Sequence, residues 1–312
     1  MRNDTTQLRI REDVANAIQR REPVVALEST VLAHGLPYPV NLETARACEQ
    51  AVGSAGALAA TIGIAEGVPV IGLDSNELDR FAHAAAPDGR RIEKVNLSNF
   101  AAVLQKRQWG ATTVAASLQL AFLSGLDVFS TGGIGGVHRG ASESFDVSAD
   151  LTALSRLPLV CVCAGAKSIL DLAKTIERLE TLGVPVVGFQ TDEFPAFYSR
   201  RSGLPVDSTV AGADEAAELV RRHWASGLST AVLVCVPAPA EFEIPSAEIE
   251  LAISRAVSMA ENAGVKGKAL TPFLLSQIER MTGGKSLETN RALLINNSRV
   301  AASIAKSLAT PS

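Results

Sequence analysis

The chain has 312 residues, of which 47% are hydrophobic, 20% charged and 4% aromatic, and its formal net charge is −4. This length allows one large domain or two small ones, and the composition is typical of an α/β enzyme, not of a disordered or fibrous protein. Negative charge and few aromatic side chains argue against binding to nucleic acids or membrane surfaces, which need a basic field or stacking platforms. A small-molecule substrate is therefore expected.

The location of the protein is predicted from its first residues and its cysteines. Residues 1–21 are charged and polar, and no uninterrupted apolar stretch reaches the roughly 18 residues that a membrane helix needs. The four cysteines show no CxxC spacing, so they are interpreted as small hydrophobic residues kept reduced. They are Cys48, Cys161, Cys163 and Cys235. We expect a cytoplasmic protein.

Apolar runs alternate with segments of helical periodicity along the chain. Strands are predicted at residues 24–27, 68–73, 128–130, 159–163, 184–189 and 231–236, and helices at 41–54, 112–124, 169–182 and 213–226. From about residue 248 the pattern is mostly helical, with amphipathic segments at 249–263 and 287–308 and a helix starting at Thr271-Pro272. The alternation predicts a three-layer α/β/α fold with a mainly parallel central sheet and a helical C-terminal portion. We expect one continuous catalytic domain over residues 1–312, with residues 1–20 as an N-terminal arm.

Candidate chemistry lies where three of these strands end. Glu28 follows the first strand, a glycine-rich loop follows the third, and Lys167 follows the fourth; ligands bind at this edge of a parallel sheet. If Ser168 caps the helix at 169–182, Lys167 precedes the positive end of a helix dipole. The dipole and partial burial would then disfavour the ammonium and favour the nucleophilic amine. The alternative is a solvated lysine on a loop.

The glycine-rich loop at 131–140, TGGIGGVHRG, could present backbone N–H groups to an anion, with His138 and Arg139 as further donors. The strict G-x-G-x-x-G pattern is missing, which argues against a dinucleotide site, and a surface turn is the alternative. Residues 142–150 then supply three carboxylates and three hydroxyls, ligands that suit Mg²⁺ or Mn²⁺. A polar loop with Asp150 as a helix cap explains them equally well. Residues 110–114 begin a helix that offers a second phosphate site or a plain threonine cap.

Eight segments along the chain form a recognisable set: ALEST (26–30), HGLPYP (34–39), GATTVAA (110–116), the loop at 131–140, FDVSAD (145–150), VCAGAKSILDL (162–172), TPFLL (271–275) and TGG (282–284). Together they resemble the pseudouridine-5′-phosphate glycosidase family, also called indigoidine synthase A-like. The similarity covers about residues 24–305, and several of the motifs are long, so a chance match is improbable.

The resemblance implies reversible cleavage of pseudouridine 5′-phosphate into uracil and ribose 5-phosphate. It assigns Lys167 as the nucleophile that binds sugar C1′, Glu28 as the proton donor and Asp146 as the metal ligand, with Mn²⁺ the expected ion and Mg²⁺ the alternative. It also implies a homotrimer. Substrate contacts are implied for Lys94, Val114, Ser148, Ala149 and Asp150, and a place in the same pocket for Thr131, His138 and Asn290. The segment after Lys94 departs from the more charged segment of many relatives.

The chemistry is consistent with these assignments. A C–C glycosidic bond lacks the heteroatom that ordinary glycosidases protonate, so two carboxylates alone cannot break it. An amine attached to C1′ of the opened ribose supplies an iminium as the electron sink, and a buried Glu28 can transfer protons near neutral pH. Two alternatives stay open: a Schiff-base aldolase that acts on a sugar phosphate, and a non-catalytic sugar-phosphate sensor.

Overall fold

A computed structural model describes residues 8–85, 91–265 and 270–310, without the side chains of residues 261, 271 and 272. Its described part contains eleven strands that join into one sheet. They are β1 (Arg9–Ile10), β2 (Val24–Leu27), β3 (Leu58–Ala65), β4 (Val68–Ile71), β5 (Glu93–Val95), β6 (Gly110–Thr112), β7 (Val128–Ser130), β8 (Val160–Cys163), β9 (Val186–Phe189), β10 (Ser208–Val210) and β11 (Val232–Cys235).

The order of the sheet is β1-β4-β3-β2-β7-β8-β11-β9-β10, with β6 also paired to β3 and β5 to β6. From β3 to β10 every pairing along this path is parallel, and the antiparallel pairings are β3 with β4 and β3 with β6. The expectation of a mainly parallel sheet is confirmed. Its central strands are apolar along their whole length because helices cover both faces.

The helices are α1 (Glu12–Gln19), α2 (Val40–Ser54), α3 (Ser75–His83), α4 (Phe100–Gln105), α5 (Val114–Ser124), α6 (Ala141–Ser144), α7 (Ala149–Leu154), α8 (Leu172–Thr181), α9 (Ala213–Ala225), α10 (Ser246–Asn262), α11 (Leu270–Met281) and α12 (Lys285–Ala309). One layer contains α12, which packs on β2, β7 and β8 and against α2 and α9. The other contains α5, which packs on β2, β3 and β7 and against α7. These are the two helical layers of the predicted fold, and α10 to α12 form the predicted helical C-terminal portion.

The residues predicted as an N-terminal arm contribute to the fold from Arg9 onwards. β1 pairs in parallel with β4, and α1 buries Val14 and Ala17. Residues 1–7 lie outside the described residues. Among the described helices, none combines the length and the hydropathy that a membrane span requires. All four cysteines are free and buried, as predicted.

One predicted helix start is wrong, and it bears on Lys167. Helix α8 begins at Leu172, where the Asp171 carboxylate caps it by accepting from the Lys174 N–H at 3.1 Å. Ser168 is buried, and its hydroxyl has no hydrogen-bond partner among the described residues. Lys167 therefore lies five residues before the helix, beyond the first turn in which a helix dipole acts. The dipole argument for a neutral Lys167 is not supported.

The other predicted boundaries differ by a few residues. The helix predicted from residue 112 begins at Val114, because Thr112 ends β6 and the Thr113 hydroxyl caps α5. Five strands are absent from the predicted set. β5 and β6 have three residues each, β5 carries two charged residues and β6 begins with glycine, so neither shows an apolar run.

Candidate active site

Two adjoining cavities open at the carboxyl ends of β2, β7 and β8. The smaller one has a volume of about 60 Å³ and the larger one about 320 Å³. Four residues line both cavities and so form the wall that they share: Glu28, Thr30, Lys94 and Lys167. We call the smaller cavity the inner lobe and the larger one the outer lobe. A ligand that fills both would place its middle beside these four shared side chains.

The eleven site residues predicted from the sequence all line this double cavity. Thr131 and Asn290 border the inner lobe, and Glu28, Lys94 and Lys167 border both lobes. The remaining six border the outer lobe: Val114, His138, Asp146, Ser148, Ala149 and Asp150. Residues separated by up to 262 positions in the sequence thus meet at one edge of the sheet. The structure brings the predicted set together; the role of each residue stays a prediction.

Lys167 is placed by an extension of the sheet beyond the ends of β7 and β8. Ile134 and Ala166 form an isolated parallel bridge, and the Lys167 N–H donates to the Ile134 carbonyl at 3.0 Å. Gly165 makes this course possible because it has φ +82° and a Cβ there would lie 2.1 Å from the Pro195 carbonyl oxygen. The half-buried Lys167 therefore follows a backbone with little freedom to move.

Glu28 faces Lys167 from the end of β2. The Thr131 hydroxyl donates to its carboxylate, and the buried Asn297 amide donates to the Thr131 carbonyl at 2.9 Å. Burial raises the pKa of Glu28 and the charge of Asp150 adds to this rise, while Lys167, the Thr131 hydrogen bond and Lys94 oppose it. A carboxyl group that keeps its proton to higher pH is suited to act as a general acid.

Asp150 connects the outer lobe to two backbone segments. Its Oδ1 accepts from the Ala115 N–H at 2.9 Å and its Oδ2 from the Gly135 N–H at 2.7 Å. The alternative in which Asp150 caps the next helix is wrong, because the Ser148 hydroxyl caps α7 by accepting from the Asp150 N–H at 3.2 Å. The carboxylate of Asp150 thus holds the start of α5 against the glycine-rich loop.

The glycine-rich loop uses five of its backbone N–H groups within the protein and cannot offer these to an anion, so the predicted cradle stays a prediction for Gly132 and Gly133, which line the inner lobe. Residues 131–137 are buried, and the N–H groups of Thr131, Ile134, Gly135, Val137 and His138 donate to partners within the protein. The predicted donor Arg139 instead forms a bidentate pair with Glu250 at 2.5 and 3.0 Å. The glycines serve close packing: a Cβ at Gly133 would lie 2.7 Å from the Phe197 ring, and one at Gly136 would lie 2.4 Å from the Thr175 hydroxyl oxygen.

The predicted metal ligand lies on the rim of the outer lobe. Asp146 is exposed, and its Oδ2 lies 3.8 Å from Nδ1 of His138. No group of three or more His, Cys, Asp or Glu side chains that could hold a metal occurs in the described part of the chain. This donor set fits a hard divalent ion held by one carboxylate and several waters, as Mg²⁺ commonly is, and does not fit a closed protein cage.

The inner lobe contains residues that were not predicted as site residues. Its walls are largely apolar and include Val31, Phe197, Leu275 and Leu294, and His34 borders it as well. His34 belongs to the motif HGLPYP, so the sequence could have marked it as a site residue. No sequence pattern could have marked Phe197, because it reaches the lobe from an irregular segment between β9 and β10.

Comparisons with known proteins agree with this geometry. The family model described as indigoidine synthase A like protein matches residues 13–307. The chain belongs to the indigoidine synthase A-like family. Two relatives named pseudouridine-5′-phosphate glycosidase, from Chloroflexus aurantiacus and Myxococcus xanthus, are 52% and 48% identical over 301 and 305 residues. The alignments cover 96% and 98% of this chain and 97% and 99% of the relatives.

Two solved structures show the same indigoidine synthase A-like fold. One is the prealnumycin C-glycosynthase AlnA in complex with ribulose 5-phosphate, with 36% identity and a TM-score of 0.89 over 98% of both chains. The other is an indigoidine synthase A-like protein from Thermotoga maritima, with 35% identity and a TM-score of 0.89 over 99% of this chain and 100% of that one. The mainly parallel sheet with flanking helices is therefore the architecture of this family.

Proposed function

We infer that this chain is a pseudouridine-5′-phosphate glycosidase, which converts pseudouridine 5′-phosphate and water into uracil and ribose 5-phosphate and catalyses the reverse. The observation that carries this inference is the shared wall of the two lobes. Glu28 and Lys167 border both cavities, so a base in the inner lobe and a ribose phosphate in the outer lobe would have their connecting bond beside both residues. The names of the relatives that align over nearly the whole chain support the same activity.

In the first step the Lys167 amine attacks C1′. The C1′–O4′ bond breaks, O4′ keeps the electron pair, and the Glu28 carboxyl donates a proton to it. The amine bonded to C1′ then returns one proton to Glu28. The raised pKa of Glu28 supports this role, because a carboxyl group that keeps its proton to higher pH is better suited to act as a general acid. The result is an open-chain sugar attached to Lys167 as a neutral secondary amine.

In the second step the C1′–C5 bond breaks. The nitrogen lone pair forms the C1′–N double bond, the electron pair of the broken bond goes to uracil C5, and C5 takes a proton from Glu28. This order changes the expectation from the sequence, in which the iminium was the electron sink: the iminium is the product of the cleavage, the nitrogen lone pair drives it, and uracil C5 receives the electron pair. Water then adds to C1′, which releases the aldehyde of ribose 5-phosphate, restores the Lys167 amine and returns a proton to Glu28.

A divalent cation, Mn²⁺ in our proposal, would be held by the Asp146 carboxylate and waters. When bound, it supplies positive charge at the outer lobe that favours a phosphate-bearing substrate. Lys94, which borders both lobes, adds charge of the same sign. We also propose that the protein works in the cytoplasm as a homotrimer, as the resemblance to the family implies.

The test combines turnover with trapping. Purified protein should convert pseudouridine 5′-phosphate to uracil, followed by ultraviolet absorbance and chromatography. Incubation with ribose 5-phosphate and borohydride should label the peptide that contains Lys167 by reduction of its imine. Lys167→Ala should abolish both, whereas the control Lys174→Ala should retain both, since Lys174 lies on the α8 surface paired with Asp171.

Three outcomes would contradict the proposal. An unlabelled Lys167 peptide under turnover conditions would refute the covalent mechanism. Labelling of Lys167 by ribose 5-phosphate with no consumption of uracil would indicate a Schiff-base aldolase. Ligand binding that is unchanged in Lys167→Ala, with no turnover by the wild type, would indicate a sugar-phosphate sensor.

A further inference from the structure

The inner lobe has the properties of a site for a planar heterocycle. Its walls combine the apolar side chains of Phe197, Leu275 and Leu294 with polar side chains that include His34 and Asn290. The backbone of Phe197 has φ +64°, a region that is costly for a bulky residue, and the ring packs edge-on against Tyr198 with centroids 4.8 Å apart. A side chain held in such a conformation is fixed in place, which suits the wall of a specific pocket.

His34 borders this lobe from a five-residue π-helical turn, Val31–Gly35, that begins three residues after Glu28. Its Nε2 is buried and makes no hydrogen bond with any described residue. Burial and the charge of Lys94 lower the pKa of His34, which favours the neutral ring, while Glu93 opposes this effect. A buried ring nitrogen without a partner costs free energy unless a ligand satisfies it.

The two ring nitrogens of His34 differ in their surroundings. The backbone of Ile92 acts on the ring and raises its pKa, whereas Nε2 is buried without a partner among the described residues. In a neutral imidazole one nitrogen carries the proton and the other is an acceptor. With the proton on Nδ1, Nε2 is the acceptor that an N–H group of a ligand in the inner lobe would satisfy.

We propose that His34 is a specificity-determining residue, whose Nε2 accepts a hydrogen bond from a ring N–H of the pyrimidine base in the inner lobe. This inference rests on the proposed function and deepens it. A base joined to the sugar through C5 keeps both of its ring N–H groups, whereas a base joined through nitrogen has lost one of them. An acceptor at this place would help the site select C-linked bases, and uracil itself in the reverse direction.

The test uses N-methylated bases, because a methyl group removes one donor at a time. Binding of uracil, 1-methyluracil and 3-methyluracil to the full chain is measured by calorimetry, which requires no turnover. The kcat/KM for pseudouridine 5′-phosphate and for its N1-methyl and N3-methyl forms is measured alongside. The variants are His34→Phe, which keeps a ring without an acceptor, and His34→Asn, which introduces less bulk. The control is His83→Phe, since the His83 ring packs edge-on against Tyr38 outside the two lobes.

We expect the wild type and His83→Phe to bind 1-methyluracil about 10- to 100-fold more weakly than uracil, because N1–H is the group that only a C-linked base keeps and its loss leaves a buried acceptor unpaired. A loss confined to 3-methyluracil would contradict the selection of C-linked bases, because N-linked bases keep that N–H as well. In His34→Phe or His34→Asn the ratio for 1-methyluracil should fall to about 2-fold or less, while the thermal unfolding midpoint shows that the variant is folded. A ratio that survives in both variants, or a wild type that binds all three bases equally, overturns the role of His34. If the wild type neither turns over pseudouridine 5′-phosphate nor binds uracil, the proposed function fails and this inference fails with it.

Discussion

Replacing Asp150 by asparagine should destabilise the protein even though the two side chains have the same shape. Each carboxylate oxygen of Asp150 accepts one buried backbone N–H, from Ala115 and from Gly135. The amide of asparagine has one acceptor oxygen and one NH₂ group. Asp150→Asn therefore leaves one of the two N–H groups facing another donor.

The magnitude follows from counting these bonds. A buried N–H without an acceptor costs about 1–3 kcal/mol, and changing the other bond from a charged to a neutral acceptor costs about 1 kcal/mol more. We expect the free energy of unfolding to fall by about 2–4 kcal/mol in urea denaturation. Because Asp150 also raises the pKa of Glu28, the pKa of Glu28 should fall, and the loss of activity at rising pH should begin at a lower pH.

The control is Asp171→Asn, the same substitution at the cap of α8. Asp171 accepts one backbone N–H, and asparagine caps a helix as well as aspartate does, so this variant should lose less than about 1 kcal/mol. If Asp150→Asn unfolds within about 0.5 kcal/mol of the wild type, the two hydrogen bonds do not contribute as described. Lost substrate binding with unchanged stability would instead place Asp150 among the substrate contacts alone.

Three further predictions concern the same site. The folded state raises the pKa of Glu28. The contribution of the protonated Glu28 carboxyl to the free energy of unfolding is therefore complete below its unfolded pKa of about 4.3, and it is lost as pH rises through the folded value. Glu28→Gln should therefore gain stability over the wild type with rising pH in urea titrations while losing activity; a difference independent of pH would contradict this. Gly135→Ala should lower kcat/KM about 100-fold, because its Cβ would lie 2.3 Å from the Ser148 hydroxyl and 2.8 Å from Asp150. Its control is Gly53→Ala, in α2 with open space around it, which should keep wild-type kinetics and raise the free energy of unfolding by about 0.5–1 kcal/mol. Asp146→Asn should weaken Mn²⁺ binding, measured by electron paramagnetic resonance, while the exposed neighbour Glu143→Gln should not; equal affinities would remove Asp146 from the metal site.

The sequence predicted the edge of the sheet where the site lies because the apolar runs of β2, β7 and β8 end at Glu28, Thr131 and the segment before Lys167. Parallel strands bring their carboxyl ends together, so three local patterns were enough to place these residues near one another. The hydrogen-bond partners and the burial of each side chain could not be predicted from these patterns. A glycine-rich loop can either expose its N–H groups or use them internally, and which occurs depends on distant partners such as Asp150 and Thr175.

Long-range contacts explain the remaining differences. Ser168 and Asp171 are both good N-cap residues, and the pairing of His138 with Leu170 draws the chain into a bridge that delays the start of α8 until Leu172. Phe197 reaches the inner lobe from a segment without periodicity, which no pattern of spacing could place. His34 and Asn290 lie in the same lobe although 256 positions separate them.

The hydrogen bond between Asn297 and Thr131 joins residues that are 166 positions apart in the chain. Forming this contact closes a long stretch of chain, which costs entropy. We expect the docking of α12 to be a late step in refolding, and the hydroxyl that Thr131 offers to Glu28 to be fixed only in that step. Catalytic activity should therefore recover more slowly after dilution from denaturant than the circular dichroism of the sheet.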